Sequence, residues 1–404
     1  MFKILLSRSV FAVALLMPFL AHSSVWENEN SWSPQWERAY QNWVSENWTK
    51  DYFNKPGPFK GLKFDCADLV YTMRAVFASQ NGLPFAVNDP TGGGRLISNS
   101  MSRFDNLDSN ARKRAFVKYL FGVVSTKSIP DDTYPAAVNR TTLSSGSVLL
   151  ADEKSHHSWT VRKFLPSGIP YLLFRSRPAK TEMFRRIEYP SMGFTFPNGL
   201  NPERHAGFRN FRSVSDLTKS VWNVSGYSLE QYQIPYDSWR SRMQQKMAQR
   251  GESAEEMLSR LLDSACRGSE ERVEAVQEGL NHLKKLDREG RLCMNSSEYD
   301  DFSTPSRDKR LVGNYEDLVR SYQGLRAQGQ LGEGKYAKIA TGLLFGQVST
   351  GYCDINVPGV GRLNLGQVIA AGLERRFSGN PHDSARARWG FEGQGRRAKS
   401  CPTY

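Results

Sequence analysis

The hexapeptide Asp65-Cys66-Ala67-Asp68-Leu69-Val70 predicts the start of a helix that carries a cysteine in its first turn. Asp65 is a favoured N-cap residue, and Asp68 three positions later can complete a capping box. One face of this helix is apolar, with Leu69, Val70, Met73, Val76 and Phe77 at helical spacing. The helix dipole favours a thiolate at Cys66, whereas the flanking aspartates oppose it, so an active thiolate needs a positive partner.

Three strands are predicted downstream of this helix. Gly146-Ser147-Val148-Leu149-Leu150 enters a buried strand through a glycine turn, and residues 157–164 alternate as a second strand. A turn at 165–168 leads to a third strand over 171–175, and a helix is expected at 111–121. These patterns predict an α+β fold in which a small antiparallel sheet packs on the helix of Cys66.

Two adjacent histidines begin the second strand. Alternation places His157 on the apolar face with Trp159 and Val161, and this face is expected to meet the helix. His156 shares the opposite, predicted outward face with Ser158, Thr160 and Arg162. We therefore predict Cys66 as nucleophile and His157 as base. Buried core roles for both residues are the alternative, as is a zinc site from Cys66, His156 and His157, which no ligand spacing supports.

The five cysteines suggest two disulfides and one free thiol. They are Cys66, Cys266, Cys293, Cys353 and Cys401. The economical pairing is Cys266–Cys293 and Cys353–Cys401, which leaves Cys66 free, although sequence alone does not fix connectivity. No C-x-x-C spacing occurs, so thioredoxin-like redox chemistry is not expected.

The N-terminal residues predict export. Lys3 and Arg8 flank an apolar stretch at 10–21, and small residues follow, which is the pattern of a signal peptide over 1–23. An uncleaved membrane anchor is the alternative. We expect a secreted or periplasmic protein without stable membrane insertion. The net charge of +13 favours anionic cell-wall polymers as partners, or simply aids solubility. Nucleic acid is not expected, because zinc-finger and RNA-recognition signatures are absent.

The rest of the chain divides into four regions. A Trp-rich helical segment at 24–60 is expected to pack on the main domain, with a platform for sugar rings as the alternative. The catalytic domain spans 61–190, and its triple glycine at 92–94 lacks the lysine of a phosphate-binding loop. Residues 191–250 form an aromatic and basic connecting region with little regular structure. Residues 251–404 form a mainly helical, disulfide-stapled accessory region, whose first two helices, from Ser253 and over 270–291, should lie antiparallel.

The order of these elements resembles the NlpC-type cysteine peptidases, which are papain-fold enzymes that cut cell-wall peptides. The matching pieces are Asp65-Cys66-Ala67-Asp68-Leu69-Val70, the strand entered at Gly146, and His157-Ser158-Trp159-Thr160-Val161. The resemblance covers about residues 61–178. It implies a papain-like catalytic domain in which Cys66 attacks an amide carbonyl and His157 transfers the proton.

Three departures from the family pattern stand out. Ser147 occupies a position where aspartate is usual, and the distance from Cys66 to His157 implies an insertion. The third strand offers only Arg175 and Ser176 to orient the imidazole, so the orienting group comes from elsewhere or is a backbone carbonyl. A family member without that group could serve as a binding module.

The resemblance implies an exported cysteine peptidase or amidase that acts on peptidoglycan stem peptides or another exported amide substrate. No cofactor or metal is expected. A thiol acyltransferase of the transglutaminase type and a catalytically inactive cell-wall or surface-binding protein are the alternatives.

Overall fold

The computed structural model describes residues 24–49, 51–62, 65–151, 157–174, 185–188, 206–235, 238–346 and 351–404. The described residues form a mixed α+β protein. Among them, no helix combines the length and the apolar character needed to cross a membrane. The predicted signal peptide at 1–23 lies outside the described residues.

The N-terminal half contains five helices among its described residues. They are α1 (Pro34–Asn47), α2 (Cys66–Gln80), α3 (Ser109–Phe121), the single turn α4 (Ile129–Asp132) and α5 (Trp239–Met247). Two short strands, β1 (Ala86–Asn88) and β2 (Leu96–Ser98), pair as an antiparallel ribbon beside them. The capping box predicted at Asp65 is present, and it sets the first residue of α2 at Cys66.

A six-stranded antiparallel sheet forms the centre of this half. Its strands are β3 (Thr133–Pro135), β4 (Val148–Ala151), β5 (His157–Phe164), β6 (Pro170–Phe174), β7 (Arg185–Glu188) and β8 (Gly207–Phe211). Their order is β3-β8-β4-β5-β6-β7. The region expected to connect with little regular structure therefore supplies a central strand, β8, and the helix α5. The sequence did not predict β8, because Gly207–Phe211 has only five residues and its polar and apolar residues alternate weakly.

Both faces of the sheet are buried. Val148 and Leu150 pack with α2 in one core, together with Leu173. Leu149 and Trp159 point the other way, into a second core that α5 covers with Trp239, Met243 and Met247. A sheet covered on both faces shows apolar residues at both parities, so alternation alone does not identify the face that meets α2.

The Trp-rich segment packs on α2 as predicted. Tyr40, Val44 and Trp48 of the α1 region are buried in the same core as α2. Trp32, Trp36 and Trp43 pack against that core, each with its ring within 6.3 Å of Phe77. These aromatic side chains therefore pack within the protein and do not form an open platform.

The C-terminal region is mainly helical. Its helices are α6 (Ala254–Arg288), α7 (Ser296–Phe302), α8 (Pro305–Ala327), α9 (Lys335–Phe345), α10 (Leu365–Leu373), α11 (Ala385–Arg388) and α12 (Arg396–Ser400). A two-stranded ribbon, β9 (Asp354–Val357) with β10 (Gly361–Asn364), packs beside them. Its cores draw only on residues from Leu258 onward, whereas those of the N-terminal half end at Met247.

The prediction of two antiparallel helices after Ser253 is wrong, because α6 runs without a break from Ala254 to Arg288. Gly268 does not interrupt it. A Cβ at Gly268 would lie 2.7 Å from Cδ1 of Leu311 in α8, so the glycine permits close helix packing. The Ser269 hydroxyl supports this packing by a 2.6 Å hydrogen bond with the Tyr315 hydroxyl.

The predicted disulfide pairing is also wrong. The bonds are Cys266–Cys353 and Cys293–Cys401, and Cys66 is free as predicted. The continuous helix explains the difference. From Cys266 to the last residue of α6, 22 residues rise about 33 Å, far beyond the separation that a disulfide spans.

Candidate functional site

The thiol of Cys66 lies at the N-terminus of α2. The Asp65 side chain accepts a 3.0 Å hydrogen bond from the backbone N–H of Asp68, and the Asp68 side chain accepts one of 3.0 Å from the N–H of Asp65. This reciprocal pair fixes the helix start and makes Cys66 the first helical residue. The thiol is partly buried rather than open to solvent.

Two hydroxyl residues from outside the helix face this thiol. Thr126, in the loop that follows α3, has its Oγ1 atom 3.3 Å from Cys66 Sγ. Ser158 of β5 approaches from the sheet, with its backbone and its hydroxyl both favouring the thiolate. The Ser158 hydroxyl is buried beside the thiol. The site therefore places two hydroxyl groups next to its thiol.

Burial governs the protonation of Cys66. It raises the pKa of the Cys66 thiol above its usual range, and the nearby Asp65 carboxylate raises it further. Hydrogen bonds from Thr126 and Ser158 oppose these effects without overcoming them. The described surroundings thus favour a neutral resting thiol, whereas the helix dipole alone had suggested a thiolate.

The same burial acts on Asp68. Loss of hydration raises the pKa of Asp68 to about 7, and the neighbouring Asp65 carboxylate contributes to the shift. One carboxyl oxygen of Asp68 is buried without a partner among the described residues. Two titratable groups with raised pKa values therefore lie in the first turn of α2.

His157 lies on the opposite face of the sheet from Cys66. Its ring packs edge-on against Trp159 at 4.5 Å and Phe174 at 5.2 Å, in the core that α5 covers. Consecutive strand residues point to opposite faces, and it is Ser158 that faces the thiol. The expected meeting of His157 with Cys66 does not occur, because the apolar face chosen from alternation is the wrong one of two apolar faces. The structure therefore does not bring Cys66 and His157 together as ligands of one zinc ion.

His157 is nevertheless perturbed. Burial lowers the pKa of His157 to about 3, and the positive charge of Arg310 in α8 lowers it further. Its Nε2 atom is buried and has no hydrogen-bond partner among the described residues. His157 is therefore a neutral, buried imidazole at the junction with the C-terminal helices.

The other residues considered for the site are His156, Arg175 and Ser176, and all three lie outside the described residues. Two further histidines are described: His282 contacts Glu298 at 3.2 Å, and His382 is buried and accepts a hydrogen bond from the Met294 N–H. Both belong to the C-terminal region, far along the chain from the thiol.

Sequence analysis missed Thr126 and Ser158 as neighbours of the thiol. The sequence of β5 did contain a signal for Ser158. A small polar residue between His157 and Trp159 leaves room for a helix to approach that face of the strand. Thr126 lies in a loop, and nothing in the sequence around it marks the contact.

No protein-family model, curated protein or solved structure matches this chain.

Proposed function

We propose that the protein is a cysteine hydrolase with a papain-like, NlpC-type arrangement, in which Cys66 attacks a peptide or amide carbonyl. One observation carries the proposal. The chain's only unpaired cysteine is the first residue of a capped helix that packs on the centre of an antiparallel sheet. Nucleophilic cysteines commonly occupy such helix N-termini, where free backbone N–H groups are available to a developing negative charge.

We propose His156 as the base in place of His157. Ser158 faces the thiol, and Thr160 shares its side of β5 through the pairing with Val148. In the sequence, His156 has the parity of these two residues, while His157 has the parity of Trp159. His156 lies outside the described residues, so this assignment rests on parity and is tested by comparing the two histidines.

The proposed reaction begins from a neutral thiol. As the Cys66 sulfur forms a bond to the carbonyl carbon, the imidazole takes the thiol proton. The tetrahedral oxyanion is held by the backbone N–H of Cys66 and a neighbouring donor, for which Ser158 is the candidate. The C–N bond then breaks, and the imidazolium returns its proton to the departing amine. Water, activated by the same imidazole, hydrolyses the thioester and restores the thiol.

Peptidoglycan stem peptides are the proposed substrates. The support is the resemblance of the motifs around Cys66, the predicted export signal and the two disulfides, which persist in oxidising compartments. The high positive charge favours binding to anionic wall polymers.

Mass spectrometry of products from purified sacculi tests this function. Wild-type protein should release stem-peptide fragments, and Cys66→Ala should release none. His156→Gln should abolish release, while the matched variant His157→Gln should retain most of it. If Cys66→Ala remains as active as wild type, the proposal fails. Products joined to an added amine, rather than to water, would identify an acyltransferase.

A non-catalytic surface-binding protein is the second candidate, because the raised pKa of the Cys66 thiol and its burial suit a structural cysteine. In that case wild type and Cys66→Ala should bind sacculi equally and release no fragments.

A further inference from the structure

A polar cleft of about 390 Å³ lies beside the middle of α2. Arg74 forms part of its wall, and eight residues of helix separate Arg74 from Cys66 by about 12 Å. The remaining walls come from α1, the turn that enters β4, the end of β8 and residues 224–226. Its volume lies in the range typical of small-molecule sites.

The charges in this cleft are already neutralised. Arg74 is buried, makes a bidentate ion pair with Glu37 and lies 3.4 Å above the ring of Trp32. Asp216 pairs with Lys219 at 2.6 Å. These are the charged side chains among the described residues that line the cleft. Since each has its counter-charge, the cleft does not suit an ionic ligand.

The rest of the lining is neutral and rich in hydrogen-bonding groups. Hydroxyl and amide groups come from Gln41, Thr141, Ser144, Ser145, Asn210 and Ser225. The turn that carries Ser144 and Ser145 packs against Tyr40 at Gly146. Gly146 has a φ of +91°, and a Cβ there would lie 2.5 Å from Cε1 of Tyr40, so only glycine allows this close approach.

An exposed tryptophan lies two residues before the part of the cleft wall at 224–226. Of the nine tryptophans, eight are buried or half-buried, whereas Trp222 is 54% exposed. It lies in a short 3-10 turn, Val221–Asn223, that leads directly into the wall at 224–226. Its ring meets Tyr227 edge-on at 6.2 Å. An exposed aromatic ring two residues from the wall of a polar cleft can offer an apolar face to a ligand that the cleft binds by hydrogen bonds.

We propose that this cleft binds a neutral saccharide. The C–H face of a sugar ring would pack on Trp222, and its hydroxyl or acetamide groups would bond to Gln41, Asn210 and the serines of the turn. The Trp-rich segment, which sequence analysis considered as a sugar platform, is occupied in the core instead. The site does not use Cys66, so it stands or falls apart from the proposed hydrolase activity.

Calorimetric titration of the mature protein with the tetramer of N-acetylglucosamine and with maltotetraose tests the site. At least one of these uncharged probes should bind and should protect Trp222 from acrylamide quenching. Trp222→Ala and Gln41→Ala should each weaken binding by about tenfold or more. The matched surface variant Tyr404→Ala and the variant Cys66→Ala should bind as wild type, since Tyr404 is 59% exposed elsewhere in the chain.

Three results would overturn the site. The first is that neither probe binds the wild-type protein. The second is that Trp222→Ala binds as tightly as Tyr404→Ala while circular dichroism shows that both variants are folded. The third is binding that disappears in about 0.5 M NaCl, because a neutral sugar in a neutralised cleft is insensitive to ionic screening. Loss of hydrolysis in Cys66→Ala with retained saccharide binding separates this proposal from the proposed function.

Discussion

At the scale of single residues, the protonation of Cys66 is the first testable property. Its thiol pKa is raised by burial and by Asp65, so the reactive thiolate should form only above the usual thiol value of 9.0. We expect the rate of iodoacetamide labelling of Cys66 to rise with pH and to have its midpoint above 9.0. Stopped reactions followed by peptide mass spectrometry give this profile.

The variant Asp65→Asn provides the control for this prediction. Removing the carboxylate removes one cause of the raised pKa, while asparagine still caps the helix. The midpoint should therefore move to lower pH in Asp65→Asn. A wild-type midpoint below 9.0 would contradict the raised pKa of the Cys66 thiol.

His157 makes folding stability depend on pH. Its pKa is about 3 in the folded protein, against 6.5 for the free side chain, so the folded state holds it neutral. Below pH 6.5, His157 binds a proton in the unfolded chain but stays neutral in the folded protein. The free energy of unfolding therefore falls as the pH drops towards 3. At pH 5 this loss is about 2 kcal/mol.

Urea denaturation of wild type and His157→Phe at pH 7 and pH 5 measures this effect. The aromatic replacement keeps the contacts with Trp159 and Phe174 but cannot titrate. The difference in unfolding free energy between the two proteins should shift in favour of His157→Phe at pH 5. An equal difference at both pH values would show that His157 is protonated in the folded state or is exposed.

At the scale of elements, the turn between β5 and β6 depends on one glycine. Gly168 has a φ of +83°, and a Cβ there would lie 2.1 Å from the backbone oxygen of Gln244 in α5. We expect Gly168→Ala to destabilise the protein by about 3 kcal/mol, because neither backbone can move without breaking the packing. Gly251→Ala is the matched control, since nothing lies within 4 Å of its added Cβ. Equal thermal stability of the two variants would refute the close contact.

The disulfides tie α6 to segments that come much later in the chain. Non-reducing proteolysis should yield one peptide pair joining Cys266 with Cys353 and another joining Cys293 with Cys401. Iodoacetamide without reductant should modify Cys66 alone. Removal of either bond by paired serine substitutions should cost about 2–5 kcal/mol, as is typical of exported domains. A peptide joining Cys266 with Cys293 would contradict the continuity of α6.

Local signals predicted these elements better than their arrangement. The capping boxes at Asp65 and Ser253 and the strand over 157–164 form where the sequence indicated, because caps and alternation depend on near neighbours. The face of β5 that meets α2 could not be predicted from alternation. Both faces of the sheet are covered by other parts of the protein, so both carry apolar residues. Disulfide partners depend on the path of the whole chain, which local signals do not contain, and Gly268 serves helix packing inside a continuous α6.

At the scale of the whole molecule, the chain has two sets of hydrophobic cores. One set uses residues up to Met247 and the other begins at Leu258. The segment between α5 and α6 joins them, with Arg250 paired to Glu256 at 2.5 Å. The two halves also meet away from this joint, because the charge of Arg310 acts on His157 and α6 contacts β7. Each half thus has the apolar contacts for its own folding.

Truncation after Arg250 tests whether the helical region is an accessory. The residues around the thiol, Thr126 and Ser158 among them, all precede the cut, as do the cores on both faces of the sheet. We expect the truncated protein to stay folded, with lower thermal stability, and to cleave a small soluble peptide at a rate close to that of the full chain. Residues 251–404 contain 22 basic and 21 acidic residues, so the truncated protein keeps nearly all of the positive charge. Its binding to whole sacculi should therefore stay sensitive to salt. Loss of the small-peptide reaction in a folded truncated protein would show instead that the helices complete the active site. The junction at Arg310 and His157 would then be the first place to search for that contribution.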